Sequence, residues 1–304
     1  MTSVYVPATI GNIGPGFDVL GIAIEGLGDT ITFNLNQNHD EILSVRGMDS
    51  EKIPFNPSQN SVVIAARSLF NLLGQGQKYV SVTLDRQLPV AGGMGSSAAA
   101  SVAGALAASE LSGLDPANSL ILEAALDGES FCAGRHLDNI APCFLGGLTG
   151  VLCTETPKPF QLPIQGDWWF SLVTPDISVS TRDARKVLPE SLPQKDWVEV
   201  SSRTLALAHA FGTGDYHLMS HALQDPYAEP RRSSLIPGFA AVKSAAIHSG
   251  AIACSISGAG PTIFALSDSK ATATKVLSAM TESIPGPIKI KHIGQPDLKG
   301  ARVL

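Results

Sequence analysis

The sequence is poor in cysteine, and its four cysteines are not grouped. Cys132, Cys143, Cys153 and Cys254 show no Cys-x-x-Cys spacing, so nothing supports a zinc site. A chain of 304 residues can build a core without disulfides, which are typical of much smaller secreted domains. We therefore expect reduced thiols that pack as small apolar side chains.

Positive charge and long apolar runs are also scarce. The 21 lysines and arginines are outnumbered by 27 acidic residues, so the chain lacks the broad positive field that attracts nucleic acids or anionic membranes. The most apolar run, residues 98–108, is far shorter than the ~20 residues of a membrane span. The N-terminus also lacks the basic and apolar regions of a secretory signal. We expect a cytoplasmic protein with no nucleic-acid or membrane partner.

Glycine, by contrast, is abundant, and its most informative cluster lies in residues 88–100, LPVAGGMGSSAAA. Glycine lets the backbone approach a ligand closely. A helix that begins at such a loop presents unpaired N–H groups and the positive end of its dipole, which favours phosphate binding. The loop contains no lysine and does not read G-x-G-x-x-G, so it is neither of the two best-known phosphate loops.

Residue patterns predict mixed secondary structure in two parts. Helical spacing predicts helices over residues 61–73, 97–112 and 115–126. Residues 7–21 contain several glycines and are predicted to be rich in turns, while residues 136–152 read as an apolar loop followed by a strand.

A proline-rich stretch, residues 157–166, indicates a boundary between two parts of the chain. We expect an α+β protein with one domain over residues 1–160 and a second over residues 161–304.

Three glycine-containing segments are informative because of their order and their separations along the chain: residues 7–18 (PATIGNIGPGFD), 89–99 (PVAGGMGSSAA) and 255–262 (SISGAGPT). They resemble the GHMP kinases, the family of galactose, homoserine, mevalonate and phosphomevalonate kinases. Residues 89–98 fit that family's motif P-x-x-x-G-[LM]-G-S-S-[AS] at each fixed position.

Further segments resemble the homoserine-specific branch of the family. Residues 12–18 (NIGPGFD), 136–142 (HLDNIAP), 180–189 (STRDARKVLP) and 229–238 (EPRRSSLIPG) match its landmarks. The chain departs from the branch at Ile10 and Gly11, and at Arg231, where a tyrosine is usual.

The resemblance implies the two-domain GHMP kinase fold, with an N-terminal domain like domain 2 of ribosomal protein S5 and a ferredoxin-like C-terminal domain. It implies ATP-dependent, Mg²⁺-assisted phosphorylation of the side-chain hydroxyl of L-homoserine to O-phospho-L-homoserine, a step of threonine biosynthesis. We also expect a homodimer. Two alternatives stay open: a GHMP kinase of the mevalonate type, with an acidic base and no amino-acid clamp, and a catalytically silent homologue that binds metabolites.

The resemblance assigns ATP to the glycine-rich loop, where backbone amides would surround the phosphates. Mg²⁺ prefers oxygen ligands, and the family holds it with a glutamate that corresponds to Glu129, with Ser97 beside it and Glu123 and Asp127 as rivals. The residues expected to bind ATP are Pro89, Val90, Ala91, Gly92, Gly93, Met94, Gly95, Ser96, Ser97, Ala98 and Ala99. Residues 60–63 are the expected contacts of the adenine.

An amino-acid acceptor needs a carboxylate clamp, an ammonium partner and groups that orient its hydroxyl. The family-matched arginines are Arg185 and Arg232, whose planar guanidinium groups can bond both carboxylate oxygens, although Arg231 leaves the second assignment open. Asp18 is the expected ammonium partner. The other residues expected to contact the substrate are Asn12, His136, Asn139 and Thr181.

The expected catalytic residues are Asn139, Glu129 and Asn12. An asparagine amide accepts no proton near neutral pH, but phosphoryl transfer depends mainly on positioning and charge neutralisation. Asp138 is a base by type, and we expect it to be structural. A second glycine-rich turn, with Gly258 and Gly260, is expected to close against the phosphate loop.

Overall fold

The computed structural model describes residues 1–304 and contains two β-sheets with helices packed against them. The strands are β1 (Thr2–Gly11), β2 (Leu20–Asn36), β3 (Glu41–Gly47), β4 (Tyr79–Arg86), β5 (Leu148–Cys153), β6 (Lys158–Leu162), β7 (Trp169–Pro175), β8 (Ala253–Ile256), β9 (Ile263–Ser267), β10 (Ile288–Gly294) and β11 (Arg302–Val303). The helices are α1 (Ser61–Leu72), α2 (Ser96–Ser112), α3 (Asn118–Cys132), α4 (Ile140–Leu145), α5 (Thr181–Lys186), α6 (Gln194–Thr213), α7 (Tyr216–Ala222), α8 (Ala228–Arg232), α9 (Phe239–His248) and α10 (Lys270–Glu282). None of these helices has the length and apolar character needed to cross a bilayer.

The first sheet has seven strands and belongs to the N-terminal domain. Its main path runs β11-β1-β2-β4-β3, and β5 joins β2 and carries β6. The long β2 pairs with β1, β4 and β5, so it is the centre of the sheet. The last strand, β11, comes from the end of the chain and pairs with the beginning of β1.

The prediction of a turn-rich stretch over residues 7–21 is wrong for its first and last parts. Residues 7–11 continue β1 past a register shift at Pro7, where the missing proline N–H costs no regular ladder bond. The glycines permit close packing in place of turns: a Cβ on Gly21 would lie 1.8 Å from the carbonyl oxygen of Asp138, and one on Gly11 would lie 2.2 Å from Asn139. The strand glycines therefore let the segment before α4 lie directly on the sheet.

The second sheet has the order β10-β7-β9-β8. Renumbered within the domain this order is 4-1-3-2, with helices between its first and second and between its third and fourth strands, which is the ferredoxin-like arrangement predicted above. The chain leaves the first sheet at Leu162 and enters the second at Trp169.

Helices α1, α2 and α3 pack together against the first sheet. The alanine-rich α2 is buried along its middle, and its Gly104 lets α1 approach so closely that a Cβ there would lie 2.0 Å from the Val62 carbonyl oxygen. Helix α3 begins later and ends later than the predicted residues 115–126. It continues through Gly128, which lies against Ser101 and the Ser61 carbonyl, and this extension carries Glu129 into the interior.

Residues 140–145 form α4, which corrects the prediction of a loop and strand there. Pro142 lies in the first turn of this helix, where a proline is tolerated because the first N–H groups have no intrahelical acceptor. The predicted strand begins only at Leu148, after the positive-φ glycines Gly146 and Gly147. All four cysteines are free, as expected, and two of them, Cys143 and Cys254, are buried.

Candidate active site

A cleft of about 330 Å³ lies between the two domains, with the glycine-rich loop along one side. It brings together most of the residues singled out from the sequence. Those that line it are Asn12, Asp18, Val90, Ala91, Gly92, Gly93, Gly95, Ser96, Ser97, Glu129, His136, Asp138, Asn139, Thr181, Arg185, Arg232 and Gly258. Asn60 and Val62 of the expected adenine segment also line it.

Six of the expected residues do not line the cleft, one of which is Val63 of the adenine segment, buried in the core. Ala98 and Ala99 are buried in the core as part of α2. Met94 is buried with its sulfur 3.7 Å from Thr174 Oγ1, and Pro89 lies beneath Gly92. Gly260 packs against Ile236.

The carbonyl groups of the glycine-rich loop are anchored in the protein. Those of residues 91–94 all accept hydrogen bonds, and the donors are Val179 N, Thr262 N and Oγ1, Ser257 Oγ and Thr9 N. Thr9 belongs to the N-terminal domain, and the other donors come from the C-terminal one. Both domains therefore fix the conformation of this loop.

The N–H groups of the same segment are, in contrast, without partners. Those of residues 91–98 have no acceptor in the protein, and the first helical bond of α2 runs from Ala99 N to Gly95 O at 2.8 Å. These free N–H groups form a row along the loop, and positive φ angles at Ala91, Gly93 and Gly95 give the loop its curvature. Successive free amides at a helix N-terminus form an anion site.

Two positive-φ positions of the loop accept only glycine. A Cβ on Gly95 would lie 1.9 Å from Thr9 Oγ1, and one on Gly93 would lie 2.5 Å from the Ser257 carbonyl oxygen. Because both residues also have positive φ, a side chain would be strained even where space could be made.

Glu129 lies next to this anion site and is almost fully buried. Ser97 Oγ donates to its Oε1 at 2.9 Å, while its buried Oε2 has no partner. Burial raises the pKa of Glu129 to about 8, because no cation in the protein offsets its charge. An unpartnered carboxylate oxygen beside a phosphate site fits Mg²⁺, which takes one or two carboxylates and completes its shell with phosphate and water.

The two rival carboxylates are engaged elsewhere. Glu123 accepts from Arg135 Nη2 at 2.6 Å, and Asp127 accepts from Ser68 Oγ at 2.6 Å. Neither lines the cleft. No group of three or more acidic, histidine or cysteine side chains could hold a metal alone, so the bound nucleotide would have to supply further ligands.

Sequence reasoning missed Arg86, a buried arginine at the end of β4 that also lines the cleft. It pairs with the buried Asp29 at 3.5 Å and donates to Ser96 Oγ and, at 3.1 Å, to the Leu88 carbonyl oxygen. Its signal in the sequence is the strand alternation that places it on the same buried face as Val82 and Leu84. Arg86 therefore fixes the Ser96 hydroxyl at the start of α2.

The acceptor end of the cleft is built from charged side chains. Asp18 and Arg185, expected to bind opposite ends of an amino acid, form a two-pronged ion pair with N–O distances of 2.9 and 3.0 Å. Arg232 is buried and donates from Nε to the Ala184 carbonyl oxygen and from Nη1 to that of Gly258, which leaves Nη2 without an acceptor. Burial lowers the pKa of Arg232.

The ambiguity between the adjacent arginines has a geometric answer. Arg231 turns away from the cleft, donates to the Tyr227 carbonyl oxygen and lies over the Tyr227 ring at 5.1 Å. Arg232, on the opposite side of the short helix α8, is the one that lines the cleft.

A buried carboxylate holds the two expected catalytic asparagines. Asn12 Nδ2 and Asn139 Nδ2 both donate to Asp138 Oδ2, at 3.0 and 3.2 Å. The Oδ1 atom of Asn139 accepts from Thr9 Oγ1, so the amide orientation of Asn139 is fixed from both sides. Burial raises the pKa of Asp138 to about 7.

His136 and Thr181 lie at the same end of the cleft. His136 Nδ1 is 3.9 Å from Asp18 Oδ1, and burial lowers the pKa of this histidine. Thr181 is the first residue of α5, the helix that carries Arg185.

The chain is similar to known kinases in sequence and in fold. Residues 60–147 match the model of the GHMP kinases N terminal domain, and residues 207–286 match that of the GHMP kinases C terminal. A homoserine kinase from Cytophaga hutchinsonii is 34% identical, with a TM-score of 0.92 over 100% of this chain and 97% of that one. A putative homoserine kinase from Listeria monocytogenes is 25% identical, with a TM-score of 0.79 over 100% and 99%. The mevalonate kinase of L. major, solved with R-mevalonate, shares the fold at 15% identity and a TM-score of 0.73 over 96% and 95%.

Proposed function

The chain belongs to the GHMP kinase family, a family of small-molecule kinases, and from this premise we propose that it transfers the γ-phosphoryl group of ATP to the side-chain hydroxyl of L-homoserine. One observation carries the proposal: a single cleft joins a row of free backbone amides to an arginine–aspartate pair that is complementary to a zwitterion. The first feature suits a polyphosphate, and the second suits an amino acid.

The phosphate end supports ATP as the donor. The free N–H groups of residues 91–98 would bind phosphate oxygens, and the positive end of α2 adds to their field. Glu129, through its unpartnered Oε2, and Ser97 would hold Mg²⁺. When bound, Mg²⁺ supplies positive charge that offsets the charge of the phosphate oxygens.

The acceptor end supports an amino acid over mevalonate. A carboxylate would bind Arg232 Nη2 and the guanidinium of Arg185, while an ammonium would lie against Asp18. Mevalonate has a carboxylate but no ammonium. Its carboxylate would compete with Asp18 for Arg185, and nothing in mevalonate would give Asp18 a new partner in exchange.

The hydroxyl needs orientation more than it needs a base. Asn139 and Asn12 lie between the two ends of the cleft and are both fixed by Asp138, so they would hold the hydroxyl toward the phosphate. We assign Asp138, which also lines the cleft, to positioning, because its Oδ2 accepts hydrogen bonds from both amides. Such positioning supplies much of the acceleration in phosphoryl transfer.

The product of the proposed reaction, O-phospho-L-homoserine, would place the enzyme in threonine biosynthesis. The homodimer and the cytoplasmic location stay predictions.

The test is ADP release by the purified chain with L-homoserine, mevalonate, galactose or no acceptor, each with Mg²⁺ and with excess EDTA. We expect release that depends on both homoserine and Mg²⁺, with phosphohomoserine identified by ³¹P NMR. Faster ADP release with mevalonate would show that mevalonate, and not homoserine, is the acceptor. No release with any acceptor would favour a silent metabolite-binding homologue.

A further inference from the structure

The two guanidinium groups of the acceptor end share no hydrogen-bond acceptor, and the one hydrogen bond that ties Arg232 to α5 goes to the main-chain carbonyl of Ala184, beside Arg185. Arg185 lies on α5 and Arg232 on α8, two short helices separated by α6 and α7. Both guanidinium groups are positively charged, and the charge of Arg185 lowers the pKa of Arg232. A clamp of this kind needs something that keeps two like charges at a fixed spacing.

The side chain of Phe17 contacts both of them. The guanidinium carbon of Arg185 lies 5.1 Å from the centre of the Phe17 ring, and that of Arg232 lies 5.2 Å from it. Both distances are within the range of cation–π attraction. Tyr227 packs edge-on against the same ring, with the centroids 5.9 Å apart. One half-buried ring thus lies at the junction of the two arginines.

We propose that Phe17 is a positioning residue for the acceptor, because its ring holds the Arg185 and Arg232 guanidinium groups at the spacing that a carboxylate requires. This inference rests on the proposed function of the cleft. Phe17 has no polar group, so it acts through the arginines and not by a hydrogen bond to the substrate.

The ring matters most for Arg185. Arg232 is also fixed by the carbonyl groups of Ala184 and Gly258. Arg185 bonds only to Asp18, and its Nε is buried without a partner. When an ammonium group takes up part of the Asp18 carboxylate, the Phe17 ring becomes the main remaining contact that keeps Arg185 in place.

An aliphatic side chain could not replace this contact. It could fill similar space, but it lacks the negative ring face that attracts a guanidinium group and offsets the repulsion between two of them. A second aromatic residue would retain that face.

The experiment compares Phe17→Leu, Phe17→Met, Phe17→Tyr and the matched control Tyr227→Leu. The control removes the ring that touches Phe17 but leaves both arginine contacts. The readouts are KM for homoserine, KM for ATP, kcat, and the Kd of homoserine measured by calorimetry without turnover.

We expect Phe17→Leu and Phe17→Met to raise the homoserine KM and Kd about tenfold, the loss that corresponds to two weak cation–π contacts. Phe17→Tyr and Tyr227→Leu should stay within about twofold of the wild type, and the KM for ATP should not change in any variant. If Phe17→Leu fails to fold, Phe17→Met is read by the same criteria.

Unchanged homoserine binding in the aliphatic variants would overturn the role of Phe17, as would an equal loss of ATP affinity, which would indicate general damage. The wild-type enzyme separates these results from a failure of the proposed function. If it prefers another acceptor, the proposed substrate is wrong whatever the Phe17 variants do.

Discussion

The two ends of the cleft differ in the groups that form them: main-chain groups at one end and charged side chains at the other. The phosphate end is main chain: the carbonyl groups of residues 91–94 are anchored in both domains, and the N–H groups of residues 91–98 have no acceptor in the protein. The acceptor end is made of charged side chains, such as Asp18, Arg185 and Arg232, which come from distant segments. Under the proposed function, a polyphosphate would therefore be recognised by the path of the backbone, and an amino acid by the identity of individual side chains.

This difference has a consequence for mutation. At the phosphate end a side chain can only obstruct, so the critical residues are those that must be glycine. At the acceptor end each side chain carries a charge that can be removed alone, so losses there should be graded and confined to one substrate. The following substitutions test that separation.

The largest effect is expected for Gly95→Val. Its Cβ would lie 1.9 Å from Thr9 Oγ1, and Thr9 also holds Asn139, so the loop and the catalytic amide would both move. We expect kcat/KM for ATP to fall about 100-fold or more, as for a displacement of about 1 Å in an active site. The binding of a non-hydrolysable ATP analogue should weaken in parallel.

The control for this variant is Gly113→Val at the other end of α2. Gly113 has a similar positive φ, but a Cβ added there would meet no atom within 4 Å, so this variant carries the backbone strain without the collision. Normal ATP affinity in Gly95→Val would show that the nucleotide binds away from this loop.

The next effect is expected for Arg232→Ala, compared with Arg231→Ala. Loss of a buried charge that faces the acceptor should raise the KM for homoserine about 10- to 100-fold, at ~1.5–3 kcal/mol for a charge-assisted hydrogen bond. The KM for ATP should not change. Arg231 faces away from the cleft, so its removal should have little effect on either substrate. Equal losses in both variants would contradict the assignment.

The third substitution is Glu129→Gln, because Glu129 is a charged side chain at the end of the cleft that is otherwise formed by main chain. The amide can still accept from Ser97, but it lacks the charge that attracts Mg²⁺. We expect the Mg²⁺ concentration for half-maximal rate to rise about tenfold or more, with the KM for homoserine unchanged. The rival carboxylate variant Asp127→Asn should behave as the wild type, and a shift in that variant instead would move the metal site.

The smallest effect on activity is expected for Asp138→Asn. This variant should mainly change how the free energy of unfolding depends on pH. An amide oxygen in the place of Oδ2 can accept from both asparagines, so kcat should stay within about threefold of the wild type. Asp138→Ala should lose more, since it leaves two donors unpartnered. A fall of about 100-fold or more in Asp138→Asn would identify Asp138 as a general base.

The pH dependence follows from the raised pKa. Burial moves the pKa of Asp138 from 3.8 to about 7, so between these values the folded protein keeps a proton that the unfolded chain has lost. The free energy of unfolding contributed by this group therefore falls as pH rises through that window. Urea titrations should show the free energy of unfolding of Asp138→Asn rising relative to that of the wild type from about pH 4 to pH 7, by on the order of 3 kcal/mol in total. An advantage that does not vary with pH would contradict a raised pKa.

Sequence patterns by themselves point to the main-chain end of the site, whereas the side chains of the other end were assigned from the resemblance to the family. The loop at residues 89–98 carries its own signal, because the glycines and the helix that follows are neighbours in the chain. The glycines at residues 11 and 21 were misleading, because their requirement comes from a segment more than 100 residues away. Phe17 and Arg86 were missed for the same reason: each matters through a contact that only the tertiary structure makes.

The length of α3 also depends on tertiary contacts that the sequence pattern does not reveal. The sequence predicted its end at residue 126, but packing against α1 and α2 at Gly128 extends it to Cys132. This extension gives Glu129 its buried position and its raised pKa. The assignment of Glu129 to the metal came from the family motif, whereas the environment that makes the assignment chemically sensible depends on helix packing.

The anchoring of the glycine-rich loop by both domains links two equilibria. A rotation of one domain relative to the other would pull on the hydrogen bonds from Thr9 on one side or from Ser257 and Thr262 on the other. It would thereby alter the curvature of the amide row. By thermodynamic reciprocity, a nucleotide that prefers one curvature must favour the corresponding interdomain angle by the same free energy. If the nucleotide binds at this loop as proposed, its occupancy and the domain orientation would be coupled through a few carbonyl groups on the far side of the free amides.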